Sequence, residues 1–123
     1  MTLTKNIKRI RNKADKAFKE AVIERYGLVC EACGAESTST AHHFFPRSLY
    51  AVLRFDIENG IAIGIKCHFS HHHRGNPVIH QNIISKRGQE WYNTLLEKSR
   101  EKRASFVGIG YYEEQIKKLT KNI

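Results

Sequence analysis

Cys30 and Cys33 are separated by two residues, a gap that lets both thiolates face one tetrahedral ion. Cys67 is the only other cysteine, so a site with four protein ligands needs one member that is not Cys. His71 lies four residues after Cys67 and shares its face if the stretch is helical. Cys30, Cys33, Cys67 and His71 are therefore the best set for a structural Zn²⁺ whose closed shell leaves no open position. His68 and Ser70 are weaker fourth ligands. A free cysteine pair in a core turn is the plain alternative.

A second group comprises His42, His43, Asn59, His68 and the run His71–His73. Neighbouring residues of a strand point to opposite faces, so one histidine of a pair can bind a metal while the other works on water. Hydrolysis of a phosphodiester needs a base for the water, a cation at the phosphate and a basic surface for the backbone. Neutral imidazole is a competent base near pH 7. The plain alternatives are a second zinc site or a surface run of histidines.

Both groups need elements to hold them. Ile7, Ile10, Ala14, Phe18, Ala21 and Val22 recur at helical spacing among Lys and Arg, which predicts a helix over 5–26 with Gly27 as its stop. Residues 28–36 read as a tight turn carrying the cysteine pair. Residues 37–45 and 61–65 read as strands. Pro46 opens the loop between them, which carries Arg47, Tyr50 and Arg54, and 56–60 is turn-like. Arg54 and Asp56 read as a local salt bridge. Residues 67–73 can begin a helix that Gly75-Asn76-Pro77 interrupts. Helices are expected over 78–86, 89–103 and 111–121, with Trp91 in the core. The organisation is one domain in three stretches, 1–27, 28–76 and 77–123.

Composition narrows the partners. The chain has 123 residues, 21 Lys and Arg against 12 Asp and Glu, and a net charge of +9. Residues 1–26 carry +5, residues 30–76 are neutral and residues 77–123 carry +4. Two basic flanks around a neutral, ligand-rich middle point to a polyanion, and nucleic acid is the natural one. The length excludes the large cofactor-dependent folds. No apolar run approaches the ~20 residues of a membrane span, and the basic N-terminus has no apolar stretch behind it. A cytoplasmic location is the resulting expectation, and a reducing one fits an odd cysteine count.

Cys30-x2-Cys33, Ala41-His42-His43-Phe44, Asn59, and Cys67 with trailing histidines together resemble the HNH endonucleases of the His-Me finger (ββα-metal) group. A narrower likeness is to the NinG/Rap recombination proteins of lambda-like phages, carried also by LRFDIEN at 53–59, Gly75-Asn76 and the stretch through Ile83-Ile84, Arg87-Gly88 and Leu95. The resemblance implies an α+β fold, a small zinc-stabilised ββα-metal core flanked by N- and C-terminal helices. It implies His43 as general base and His42 as a ligand of a catalytic Mg²⁺ or Mn²⁺. Asn59 would bind that ion or hydrogen-bond across the loop to orient the base, and His72 would close the motif. The run Cys67-His68-Phe69-Ser70-His71-His72-His73 departs from the family pattern, so His68 paired with His72 is an alternative. Arg47, Arg54, Lys66 and Arg74 flank the site as phosphate contacts.

The expectation is a metal-dependent endonuclease acting on DNA, branched recombination intermediates included, leaving 5′-phosphate and 3′-hydroxyl ends. Its rival is a zinc-stabilised DNA-binding module without catalysis, which has no need of His43. A third reading has the terminal helices pairing two copies into a homodimer.

Overall fold

The computed structural model describes residues 3–27, 29–34, 39–64, 67, 77–101 and 107–121. Among these the chain is α+β, with four helices and one two-stranded sheet. Helix α1 spans Leu3–Tyr26, and strands β1, Ser39–His43, and β2, Gly60–Gly64, pair antiparallel. Their register sets His43 opposite Gly60, His42 opposite Ile61 and Ala41 opposite Ala62. Helices α2, Pro77–Arg87, α3, Gln89–Lys98, and α4, Ile109–Thr120, follow.

All five residues of β2 are buried, because α1 covers one face of the sheet and Ile83 of α2 and Leu95 of α3 pack on the side of Ile61 and Ile63. Ile61 and Ile63 pack with Phe44, Phe45, Leu53, Ile83 and Leu95 in one apolar cluster. Ala41 on the partner strand belongs to the other cluster, with Ala14, Phe18, Ala21 and Val22 of α1 and Tyr112 and Leu119 of α4. The small side of β2 lets α1 approach closely. A Cβ built on Gly60 would sit 2.1 Å from Val22 Cγ2 and 3.1 Å from the tip of Phe18. Gly60→Ala must therefore push the helix off the strand. It is expected to lower stability by about 3 kcal/mol, the upper part of the range for overpacked cores, read as a drop in denaturant midpoint.

Helix α1 lies across the sheet and packs along α4, so the terminal helices pair with each other within one chain. The other departures are local. Strand β1 stops at His43 because the next two amides leave the ladder: Phe44 N–H donates to the Asn59 carbonyl and Phe45 N–H to the Asn59 side chain. Helix α3 stops at Lys98 rather than 103. The expected pairing of Arg54 with Asp56 does not form. Arg54 reaches back to Asp15 of α1, and Asp56 takes Lys98 at 2.9 Å. The helix expected over 67–73 falls on residues outside the described ones, save for Cys67.

Glu31, between the paired cysteines, is tied to β2 on the edge away from β1. Its backbone N–H donates to the Ala62 carbonyl at 2.7 Å, and its carboxylate accepts the Ala62 N–H at 2.7 Å. The same carboxylate takes two bonds from the Arg87 guanidinium at the end of α2, at 2.5 and 2.8 Å. The pair is buried, the side chains being 2% and 8% exposed. Arg87 also donates to the Gly60 carbonyl and lies 3.6 Å from the centroid of the Tyr26 ring. The cysteine turn, the sheet and α2 are joined through this one guanidinium.

Candidate active site and metal centre

The turn after α1 brings Cys30 and Cys33 to Cys67, which follows β2. The three Sγ atoms lie within 4.8 Å of one another. Tetrahedral Zn–S bonds of about 2.3 Å place sulfur atoms roughly 3.8 Å apart, so little movement is needed to close on an ion. Cys30 and Cys67 are buried and Cys33 is exposed. Burial alone would raise the Cys30 thiol, but hydrogen bonds to its sulfur from the backbone at Gly64, Cys33 and Ala32, with the Cys33 thiol, bring it down to about 7. Burial and the two neighbouring sulfurs push Cys67 up to about 12. Three thiols so arranged share negative charge poorly unless a cation joins them, and a metal deprotonates such ligands outright. The donor set fits a structural metal ion. The expected fourth ligand, His71, and the alternatives His68 and Ser70 lie outside the described residues.

His43 is the last residue of β1 and is held on two sides. Its ring stacks on Phe18 of α1, with centroids 4.5 Å apart and planes within 4°. Its Nε2 lies 2.8 Å from the Arg54 carbonyl oxygen. A carbonyl only accepts, so Nε2 donates and Nδ1 keeps the lone pair in the neutral ring. Arg54 itself is clamped: Nε and Nη2 bond the two Asp15 carboxylate oxygens at 2.9 and 2.7 Å. Helix α1 thus orients the imidazole twice, by Phe18 directly and by Asp15 through Arg54.

His43 is 9% exposed, yet it lines a pocket of about 300 Å³ together with Lys19, Ala41, His42, Pro46, Arg47 and Ser48. Burial depresses its pKa to about 4. The Arg54 carbonyl and Asp15 oppose this, while the Arg47 and Arg54 cations add to it. The imidazole is therefore neutral across the neutral pH range. Between pH 4 and 6.5 the unfolded chain binds a proton that folded His43 refuses, so stability falls as pH falls through that window. The full loss is up to roughly 3 kcal/mol. His43→Gln should flatten this part of the pH–stability curve, as measured by denaturant midpoints from pH 7 to 4. A wild-type curve parallel to that of the variant would refute the depressed value.

The other expected residues divide clearly. His42 lines the pocket, half-buried, with Nε2 2.6 Å from Thr40 Oγ1. Arg47 also lines it, half-exposed, with Nη1 3.3 Å from Asp15 Oδ2. Arg54 is a support of His43 rather than an open phosphate contact. Asn59 is fully buried, and its amide is committed. Oδ1 accepts from Phe45 N–H at 2.8 Å, and Nδ2 donates to the Phe45 and Leu53 carbonyls at 3.1 Å. Of its two expected roles, this geometry has the tie across the loop; a divalent ion cannot reach it. His72, Lys66 and Arg74 lie outside the described residues. Trp91 packs on Phe44 and donates from Nε1 to the Glu58 carbonyl at 2.7 Å.

Sequence reasoning missed Phe18, Asp15, Lys19 and the Glu31–Arg87 pair. One signal was present: Asp15 is the only acidic residue among the first 19, against seven Lys and Arg. Comparison with known protein families, with curated proteins and with solved structures finds no match to this chain.

Proposed function

We propose that the chain is a metal-dependent endonuclease of the HNH kind that hydrolyses phosphodiester bonds in DNA, built on a ββα-metal core that a zinc ion stabilises through Cys30, Cys33, Cys67 and His71. The observation that carries this reading is the bond of His43 Nε2 to the Arg54 carbonyl at 2.8 Å. The carbonyl takes the one N–H of the neutral ring, which leaves the Nδ1 lone pair in a residue lining a pocket with two cations.

In this reading His43 Nδ1 takes the proton of a water that attacks the phosphorus in line. Lys19 and Arg47 neutralise the phosphate oxygens, and the buried position of the imidazole keeps it unprotonated between turnovers. A Mg²⁺ or Mn²⁺ held by His42 and His72 would supply further charge stabilisation at the phosphate and the leaving 3′ oxygen. Asn59 serves by fixing the loop that carries Arg54 and its carbonyl. The products expected are a 5′-phosphate and a 3′-hydroxyl. Branched recombination intermediates are the proposed substrates on the NinG-like features of the sequence.

The test is nicking of supercoiled plasmid with added Mg²⁺ or Mn²⁺, followed by linear, single-stranded and four-way substrates. No cleavage of any of them by the zinc-loaded chain would leave the DNA-binding module as the function.

A further inference from the structure

Helix α1 buries one side and turns the other outward. Ala14, Phe18, Ala21 and Val22 face the sheet and α4. Lys5, Lys8, Arg9, Lys16 and Lys19 are all exposed. At 100° per residue Lys5, Lys8, Lys16 and Lys19 fall within an arc of about 80°, with Arg9 at its border. From Lys5 to Lys19 this row runs about 21 Å along the helix, at 1.5 Å per residue. It ends in the pocket, since Lys19 is one of the residues lining it beside His43. Of the carboxylates beside this row, Asp15 is turned aside into a two-bond pair with Arg54, and Glu20 meets Lys16 at 4.0 Å as an exposed pair one turn apart, which a phosphate must displace.

We infer that this face of α1 is a track for one strand of duplex DNA, leading its phosphodiester backbone into the His43 pocket. The inference rests on the reading of that pocket as a phosphodiester site and adds where the substrate lies. A row of about 21 Å matches the rise of about six nucleotides on one strand of B-DNA. Spaced cations on a rigid helix suit a polymer of evenly spaced phosphates. Because the row extends from one side of the pocket, the nucleotides it holds lie on one side of the scissile bond. The helix is a wall fixed to the fold, not an arm that reaches around a duplex.

The test is binding of the full, zinc-loaded chain to a labelled duplex of ~20 bp over a range of salt, without added Mg²⁺ or Mn²⁺. With four or five phosphates neutralised, log K should fall against log salt with a slope of about −4. Lys8→Gln combined with Lys16→Gln should reduce that slope to about −2, since each phosphate-bound lysine accounts for about one unit. Lys117→Gln combined with Lys121→Gln removes the same charge from exposed positions in the last turn of α4 and just beyond it, and should leave the slope near its original value. Equal effects of the two pairs would overturn the track and leave only the charge of the whole molecule. Tighter binding of an RNA hairpin through Lys8 and Lys16 would overturn DNA as its occupant. Track-dependent binding without cleavage would remove the hydrolase reading and keep the track. Cleavage with unaltered binding by the α1 pair would do the reverse.

Discussion

His43→Ala is expected to lower DNA cleavage by about 10²–10⁴-fold, the usual contribution of a positioned general base. Zinc content and DNA affinity should stay close to those of the wild type, because His43 is no part of the cysteine cluster and neither Lys19 nor Arg47 is touched. The alanine also removes a ring stacked on Phe18, so some stability will be lost with it. His43→Gln separates the two effects. Its amide N–H can still donate to the Arg54 carbonyl, but it has no basic nitrogen, so it should be as inactive as the alanine variant and more stable. His42→Ala should be only partly impaired and should recover at higher Mg²⁺ or Mn²⁺ if His42 holds the divalent ion. Full activity in both His43 variants would discard the mechanism. Metal rescue of His43→Ala, with a dead His42→Ala, would exchange the two roles.

Loss of the structural metal should have the larger effect on the fold. Elemental analysis of the chain purified without a histidine tag is expected to give about one zinc per chain, and a strong chelator or Cys30→Ser should abolish cooperative unfolding. Apparent metal-binding energies of about 10–16 kcal/mol in small zinc sites exceed the whole stability of most domains of this size. Cys30 and Cys67 should be the sensitive positions because both are buried inside the apolar cluster with Ile61 and Ile63. Cys33→Ser, at an exposed thiol, should cost less. A fully folded, metal-free chain would refute the assignment.

Much of the scaffold was legible because it follows short periods. The 3.6-residue rhythm of Ile7 to Val22 defines α1, and the β-prone run at Ile61–Ile63 defines β2. The cysteine cluster was legible from a two-residue gap and a third thiol. The supports of His43 and the tie of the cysteine turn were not, since they come from far along the chain. Asp15 meets Arg54 across 39 residues, and Glu31 meets Arg87 across 56. Arg54 offered a nearer carboxylate in Asp56, and proximity in sequence favoured the wrong partner. Arg87-Gly88 reads correctly as a break between helices. Nothing local announces that the arginine itself is buried. Asn59 shows the same limit: its residue type allowed an ion or a loop tie, and only the positions of Phe45 and Leu53 decide between them.

The way Glu31 closes β2 bears on solubility. A two-stranded sheet ordinarily presents unpaired edges on which another chain can grow. Here the outer edge of β2 at Ala62 is occupied in both directions by the backbone and carboxylate of a residue in the cysteine turn. The strand it shields, Gly-Ile-Ala-Ile-Gly, carries no charge and no proline, two of the features of segments that stack into cross-β assemblies, and its isoleucines are strong β-formers. Glu31 therefore acts as a plug, held by its two bonds to Ala62 and by the Arg87 guanidinium, in a turn flanked by Cys30 and Cys33. If the three cysteines hold a metal, its removal should loosen the turn that carries the plug, and the metal-free chain is then expected to polymerise through β2 and bind amyloid dyes rather than remain a dispersed coil.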